Sequence, residues 1–402
     1  MSLLVTDGEQ RSTLAVVRAL GHAGIPVTVG AERSESLAGA SRYCTRSVRY
    51  PSPMTDPEGF QAFIRQEVLS GHYRVLLPMT DVTVQLLGPM RDELAPQVCL
   101  PMPCGQTIRL VQDKRQVLAL AERLGIACPK TTVVGEPDVL EELAQKVTYP
   151  VVIKPRISRY WRDGRWVFGS VLYAYDPSDL ILKYRKIHAQ IPSPLIQEII
   201  EGEGQGVFLL IWNGEIKAAF SHRRLREKPP WGGVSVYCES IPSDEDLVQK
   251  SASLLRAIGW QGVAMVEYKV DRRDGKPKLM EVNGRFWGSL QLSIDAGVNF
   301  PLLLYKLATG ENVSPQFDYQ TGVKSRWLLG DFDHLWIRLT HSNTGLPSAV
   351  PSRLRAFMNF LKFYERNMRY EVCRLDDPRP GWHECKSYIA QTIGSVFQGK
   401  RS

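Results

Sequence analysis

The chain has 402 residues, 44% hydrophobic and 23% charged, which is the composition of an ordinary soluble globular protein and enough for two or three domains with real cores. No uncharged apolar run approaches the roughly 18 residues of a membrane span, "MSLLVTDGEQ" lacks the regions of a signal peptide, and seven scattered cysteines without a C-x-x-C pair argue against a disulfide framework or zinc site, so a cytoplasmic protein with reduced thiols is expected. A formal charge of +8 suits an anionic partner such as a nucleotide, but without a basic run of five or a nucleic-acid module neither nucleic acid nor membrane insertion is expected.

"LLVTDG" reads as a short strand ending in a glycine turn, "STLAVVRALGHAG" as a helix, and "IPVTVGA" as a second strand. A further strand, "YRVLLPMTD", ends at Thr80 and Asp81, where parallel sheets present ligand-facing groups. This half is expected to be Rossmann-like, yet "TDGEQRS" has a single glycine and three charged residues and lacks G-x-G-x-x-G, so a dinucleotide is not expected there. From about residue 111 the texture changes. Asp113 is placed to cap a helix carrying Val117, Leu118, Ala121 and Leu124, another helix is expected near 138 to 147, and "YPVVIKP" is a strand ending at Lys154. "RISRYWRDGRWVFGS" reads as a polar and aromatic loop. "PLIQEIIEGEGQGVFLLIWNGEIKAAFSH" reads as a strand, a glycine-rich link and a hairpin turning at Asn213 and Gly214. Beyond about 320 the chain turns basic, with ten Lys or Arg against five Asp or Glu over 351–402.

The most informative stretch is a pair of strands, "GVAMVEYKV" and "KLMEVNGRF", joined by "DRRDGKP". If the turn centres near Asp274, Glu267 and Glu281 face each other, and two carboxylates about 5 Å apart repel unless something positive lies between them. Glu281, Asn283 and Arg285 are spaced two apart and share a face, with Val266, Tyr268, Val270, Met280 and Val282 on the other. The oxygen donors Glu267, Glu281 and Asn283 suit Mg²⁺ or Mn²⁺, an ion that completes its shell with water and phosphate oxygens. The implied partner is a nucleoside triphosphate, whose phosphate charge Arg285 is placed to stabilise.

In this order "DK", "YPVVIKP", "LIQEIIEGEG", "RRLREKPPWGGVSVYCES", "VEYKVD" and "KLMEVNGRFWGS" make residues 1 to 310 resemble the ATP-grasp superfamily, in particular its carbamoyl-phosphate-synthase-like or D-aspartate-ligase-like carboxylate-amine ligases. The resemblance implies an α/β fold: a Rossmann-like pre-ATP-grasp domain (1–110), a two-lobed ATP-grasp domain (111–318) and a carboxyl-terminal extension (319–402). It implies that Lys114 and Lys154 contact ATP. It also implies that the backbone of Gln197, Glu198, Ile199 and Ile200 reads the adenine edge, and that Glu203, with Glu201 close behind, holds the ribose. Arg223, Arg226, Gly232 and Gly233 are the expected site for an anionic group, with Asp81 lining the acceptor side. The implied reaction is ATP-dependent, amide-forming ligation through an acylphosphate, with ADP and phosphate released. A nucleotide-binding regulatory or scaffold protein is the alternative, and a homodimer stays open.

Overall fold

The computed structural model describes residues 2–134, 139–341 and 350–398. Four parallel strands open the chain: β1 (Ser2–Val5), β2 (Val27–Ala31), β3 (Cys44–Arg49) and β4 (Tyr73–Leu77), in the order β3-β2-β1-β4. Helix Arg11–His22 crosses from β1 to β2 and buries Leu14, Val16, Val17 and Leu20. The order and the crossover are those of the expected Rossmann-like half. At the carboxyl end of β1, Asp7 has a positive φ of 59° and accepts hydrogen bonds from Thr6, Thr80, Thr83 and the Met79 amide. These bonds fasten helix Asp81–Leu87, whose capping box is built by Thr80 and Thr83.

A second, mostly antiparallel sheet contains β5 (Thr131–Val133), β6 (Val151–Lys154), β9 (Leu172–Ala174) and β10 (Leu195–Glu198) in the order β5-β10-β6-β9. Between β6 and β9 lies a separate hairpin of β7 (Arg159–Arg162) and β8 (Arg165–Phe168). The stretch expected to be a loop is therefore paired. Asp163 and Gly164 supply the positive φ of its turn, and Trp166, 8% exposed, packs against Trp161 and donates to the Pro53 carbonyl. The helix expected near 138–147 spans Leu140–Lys146, and residue 138 lies outside the described residues.

The largest sheet runs β15-β14-β11-β12-β13-β16-β17, formed by β11 (Gly202–Trp212), β12 (Glu215–Lys228), β13 (Val234–Ser240), β14 (Gly262–Asp271), β15 (Pro277–Asn283), β16 (Lys324–Arg326) and β17 (Met368–Tyr370). β11 and β12 meet at the expected turn, Asn213 and Gly214 both at positive φ. The expected glycine-rich link is instead the start of β11. Beyond residue 319 the chain adds the last two strands and lays helix Leu328–Thr340 against β12 and β13. One face of this sheet packs Val207, Leu209 and Val266 under helix Glu245–Ala257. The other packs Phe208, Phe220, Met265 and Trp287 into the core of the amino-terminal sheet. The helix in "LRAFMNFLKFYERNMR" is confined to Arg353–Phe360. No described helix is long and apolar enough to cross a membrane.

Candidate active site

Facing residues of antiparallel strands share a side of the sheet, so the pairing registers define the floor of the site. Glu267 pairs with Glu281 on one flank and with Gly206 on the other, and Gly206 pairs with His222. One row therefore crosses four strands: Glu281, Glu267, Gly206, His222. Behind it Lys269 pairs with Gly204, and ahead of it Met265 pairs with Asn283 and Phe208. Gly202, Gly204 and Gly206 alternate along β11 on this same face, and the room their missing side chains leave is taken by Arg224 beside Gly204 and by Phe208 and His222 beside Gly206. A bulge at Met280 lets Leu279 take the buried position opposite Tyr268, so Leu279 and Val282 pack inward while Met280 is half-buried, against expectation.

The row opens into a cleft of about 820 Å³, lined by Asp7, Thr80, Asp81 and Arg159 on one wall and by His222, Arg224, Glu267, Glu281, Asn283, Arg285 and Trp287 on the other. Glu281 is 3.1 Å from the Lys114 Nζ, which also donates to the Ser158 hydroxyl. Lys114 holds the Glu281 carboxyl down at about 2, whereas burial pushes its partner Glu267 up despite the Arg224 guanidinium 2.6 Å away. Asn283 donates to Glu281 at 3.2 Å and accepts from Arg285 at 3.3 Å. Burial lowers Lys154 to about 8, with Lys114 and Lys269 adding to the effect and Glu281 opposing it. Two carboxylates thus draw three lysines and two arginines around them, with Arg224 and Arg285 lining the cleft itself.

Arg285 forks onto Asp81 of the amino-terminal half, with contacts of 2.8 and 3.1 Å. Burial raises the Asp81 carboxyl, but Arg285 outweighs it and leaves it below the ordinary range. Asp81 is therefore a partner of Arg285 in this structure, not a free group facing the cleft.

A second cavity of about 710 Å³ adjoins through Arg224 and is lined by Ile199, Ile200, Glu201, Gly202, Gly204, Lys269 and His334. The Ile200 carbonyl accepts from Lys269 Nζ at 3.4 Å. Gln197 is buried and donates to Thr131, and Glu198 binds the Lys130 amide and Arg273. Their backbones pair with β5 and β6, so the exposed part of the expected adenine edge is Ile199 and Ile200.

Several expected residues are held in ion pairs. Glu203 lines the second cavity beside Glu201 and lies 3.6 Å from Arg223, which itself is bound to Glu239. Arg226 forks onto Asp331 of helix Leu328–Thr340 at 2.6 and 2.7 Å, and Lys228 is bound to Asp333. Two register shifts in β12, on either side of Arg226, are the cause. Arg224, between the two arginines expected to bind an anion, is the one in the cleft. Gly233 lines the cleft and its carbonyl accepts from Arg224, whereas Gly232, at φ 137°, only shapes the turn.

Residues not anticipated from the sequence are Lys269, His222 and Trp287, whereas Arg224 belongs to the arginine-rich stretch expected to bind an anionic group. Lys269 was legible, being two residues beyond Glu267 on the same strand. His222 and Arg224 required the β11–β12 register.

The donor set of Glu267, Glu281 and Asn283 fits a hard divalent cation, since two facing carboxylates already attract Arg224 and Lys114 as positive partners. No three His, Cys, Asp or Glu side chains gather at a metal position among the described residues, so any such ion would rest on two carboxylates and an amide.

Residues 190–330 match a family model described as ATP-grasp in the biosynthetic pathway with Ter operon. The chain is 25% identical over 220 residues to the carbamoyl phosphate synthase large chain of Methanosphaerula palustris, covering 52% of this chain and 20% of that one. It is 28% identical over 180 residues to a probable alpha-L-glutamate ligase of Psychromonas ingrahamii, covering 43% of this chain and 55% of that one. This chain thus spans only part of each curated relative. Among solved structures, L-amino acid ligase from Bacillus licheniformis superposes with a TM-score of 0.60 at 18% identity, covering 78% and 75% of the two chains. N5-carboxyaminoimidazole synthetase from Staphylococcus aureus, complexed with ADP, gives 0.61 at 13% identity, covering 80% of each. Residues 190–330 thus match the ATP-grasp model, and the chain as a whole shares the fold of ATP-grasp ligases and resembles their carboxylate-amine branch.

Proposed function

We propose that the protein is an ATP-dependent ligase that joins a carboxylic acid to an amine through an acylphosphate. The observation that carries this reading is the facing pair Glu267 and Glu281, which lines one cleft with Arg285, has Lys114 and Lys154 close against it, and adjoins the Ile199–Ile200 edge through Arg224. ATP would lie with its base against that edge and its phosphates toward Glu267 and Glu281, with Arg224, packed against Gly204, reaching them from the floor. Lys114, Lys154, Lys269 and Arg224 are the cations for the phosphate chain. Glu267, Glu281 and Asn283 would hold Mg²⁺ or Mn²⁺, which supplies charge neutralisation at the phosphates.

A substrate carboxylate oxygen attacks the γ-phosphorus. The new O–P bond forms as the bond to the β-phosphate oxygen breaks, and ADP leaves with that electron pair. The amine nitrogen then attacks the acyl carbon, phosphate departs, and the ammonium proton is lost to solvent. Arg285, oriented by Asp81, is placed to stabilise the phosphate as it transfers. No protein nucleophile is needed, because positioning and charge neutralisation supply the acceleration.

The test measures ADP release by the purified protein against a matrix of amino acids, short carboxylic acids and amines, with product masses read alongside. Acid- and amine-dependent ADP release that disappears in Glu281→Gln is the expected result. ATP binding with no turnover across the whole matrix would favour a nucleotide sensor instead.

A further inference from the structure

The row across the sheet ends in a recess that the nucleotide does not account for. His222 sits beside Gly206, two strands from Glu267 and on the same face, so their backbones are about 10 Å apart. It is 1% exposed, its ring meets Phe208 edge-on at 4.7 Å, and Phe208 lies 4.3 Å from Trp287, which is 2% exposed. Both His222 and Trp287 line the cleft that holds the acidic pair. Neither the His222 Nε2 nor the Trp287 Nε1 has a hydrogen-bond partner among the described residues. Buried polar atoms in folded proteins are almost always bonded, so two such atoms on one cleft point to a group supplied from outside.

The chemistry of that group follows from the atoms that await it. Burial, with Arg224 adding to it, lowers His222 well below its ordinary range, so the ring is neutral. The Ser289 hydroxyl lies 3.5 Å from Nδ1 and is placed to donate to it, which leaves the proton on Nε2. Indole Nε1–H only donates. Arg11 borders the same wall; its Nη1 is bound to Glu371, and its other terminal nitrogen, Nη2, lies 3.2 Å from where a side chain on Gly288 would begin. Two neutral donors beside a guanidinium select an oxygen acceptor carrying negative charge, and Met265 and the indole face offer an apolar wall to what it is attached to.

We propose that His222 and Trp287 form the recess that binds the carboxylate of the acid substrate, a small carboxylic acid, and present it next to Glu267 where the γ-phosphate arrives. This rests on the ligase reading above and identifies which part of the cleft takes the acid. His222 and Trp287 are substrate-binding groups. Their N–H donors leave one carboxylate oxygen free to attack.

The full-length protein tests this with two variants, Trp287→Phe, which keeps an aromatic ring and removes the donor, and His222→Asn. Titration of the acid and of ATP separately in the ADP-release assay is expected to raise KM for the acid about 10-fold or more in each variant, with KM for ATP within about 2-fold of wild type. An unchanged acid KM in Trp287→Phe, or acid and ATP KM rising together, overturns the recess. Calorimetry with Mg²⁺ and a non-hydrolysable ATP analogue, against the same acids, separates the two readings. A wild-type protein that binds an acid but never releases ADP contradicts the ligase reading alone, and the recess then stands if Trp287→Phe abolishes that binding and falls if it does not. A wild-type protein that binds none of the acids overturns the recess outright.

Discussion

Arg285 is poised by a carboxylate from a different sheet. Its fork onto Asp81 spans 204 positions of sequence and keeps the guanidinium over Asn283 and Glu281. Replacing Arg285 with Ala is expected to lower kcat on the order of 100-fold while ATP still binds in calorimetry, because the lost interaction belongs to the transferring phosphate. Lys154 offers a pH test. Burial holds it at about 8, so between there and the ordinary lysine value near 10.4 the unfolded chain binds the extra proton, and folding stability rises with pH across that window. Bound phosphate favours the charged form. ATP binding should therefore take up a proton above pH 8 and weaken as pH climbs further. Calorimetry in two buffers of different ionisation enthalpy reads the uptake, and Lys154→Arg, which keeps its charge, should remove it.

At the scale of elements, the hairpin of β14 and β15 was the legible part. A turn centred on Asp274 places Glu267 opposite Glu281, and that pairing is observed even though a bulge intervenes, because the bulge lies on the turn side of the pair. β12 was not legible. Arg223, Arg224 and Arg226 look equivalent in sequence, and only the register shifts around Arg226 send one into the cleft and another to Asp331. No local signal announces such a shift, since Asp331 lies 105 positions downstream. The β7–β8 hairpin was missed for a related reason. Its strands carry arginines and aromatics without clean alternation, and Trp166 anchors to Pro53 in a distant segment. The glycine floor makes a prediction of its own. A Cβ on Gly206 would come within 2.6 Å of the Phe208 ring and 3.2 Å of His222. Gly206→Val is expected to cost about 1–3 kcal/mol in urea unfolding and to weaken binding in the cleft.

At the scale of the molecule, the last described quarter of the chain completes units begun much earlier. Arg326 and Arg226 share Asp331, with Arg326 and Asp331 fully buried and Arg226 half-buried. Arg18 of the first helix is bound by Asp377 at 2.9 Å and by the Glu371 and Val372 carbonyls, with Ser41 and the Arg42 amide on the same carboxylate. Removing one partner of a buried ion pair strands the other, so Asp377→Ala is expected to destabilise the protein by about 3–5 kcal/mol in urea unfolding, with the largest exposure in the amino-terminal sheet by hydrogen exchange.

That clasp also sets an order on biosynthesis. Asp377 follows Arg18 by 359 positions, so a ribosome emits that many further residues before the guanidinium in helix Arg11–His22 meets its counter-charge. Until then this helix is still waiting to be sealed. A nascent chain stalled at residue 360 should be cut by trypsin within 11–22, and extending translation past Asp377 should close that window.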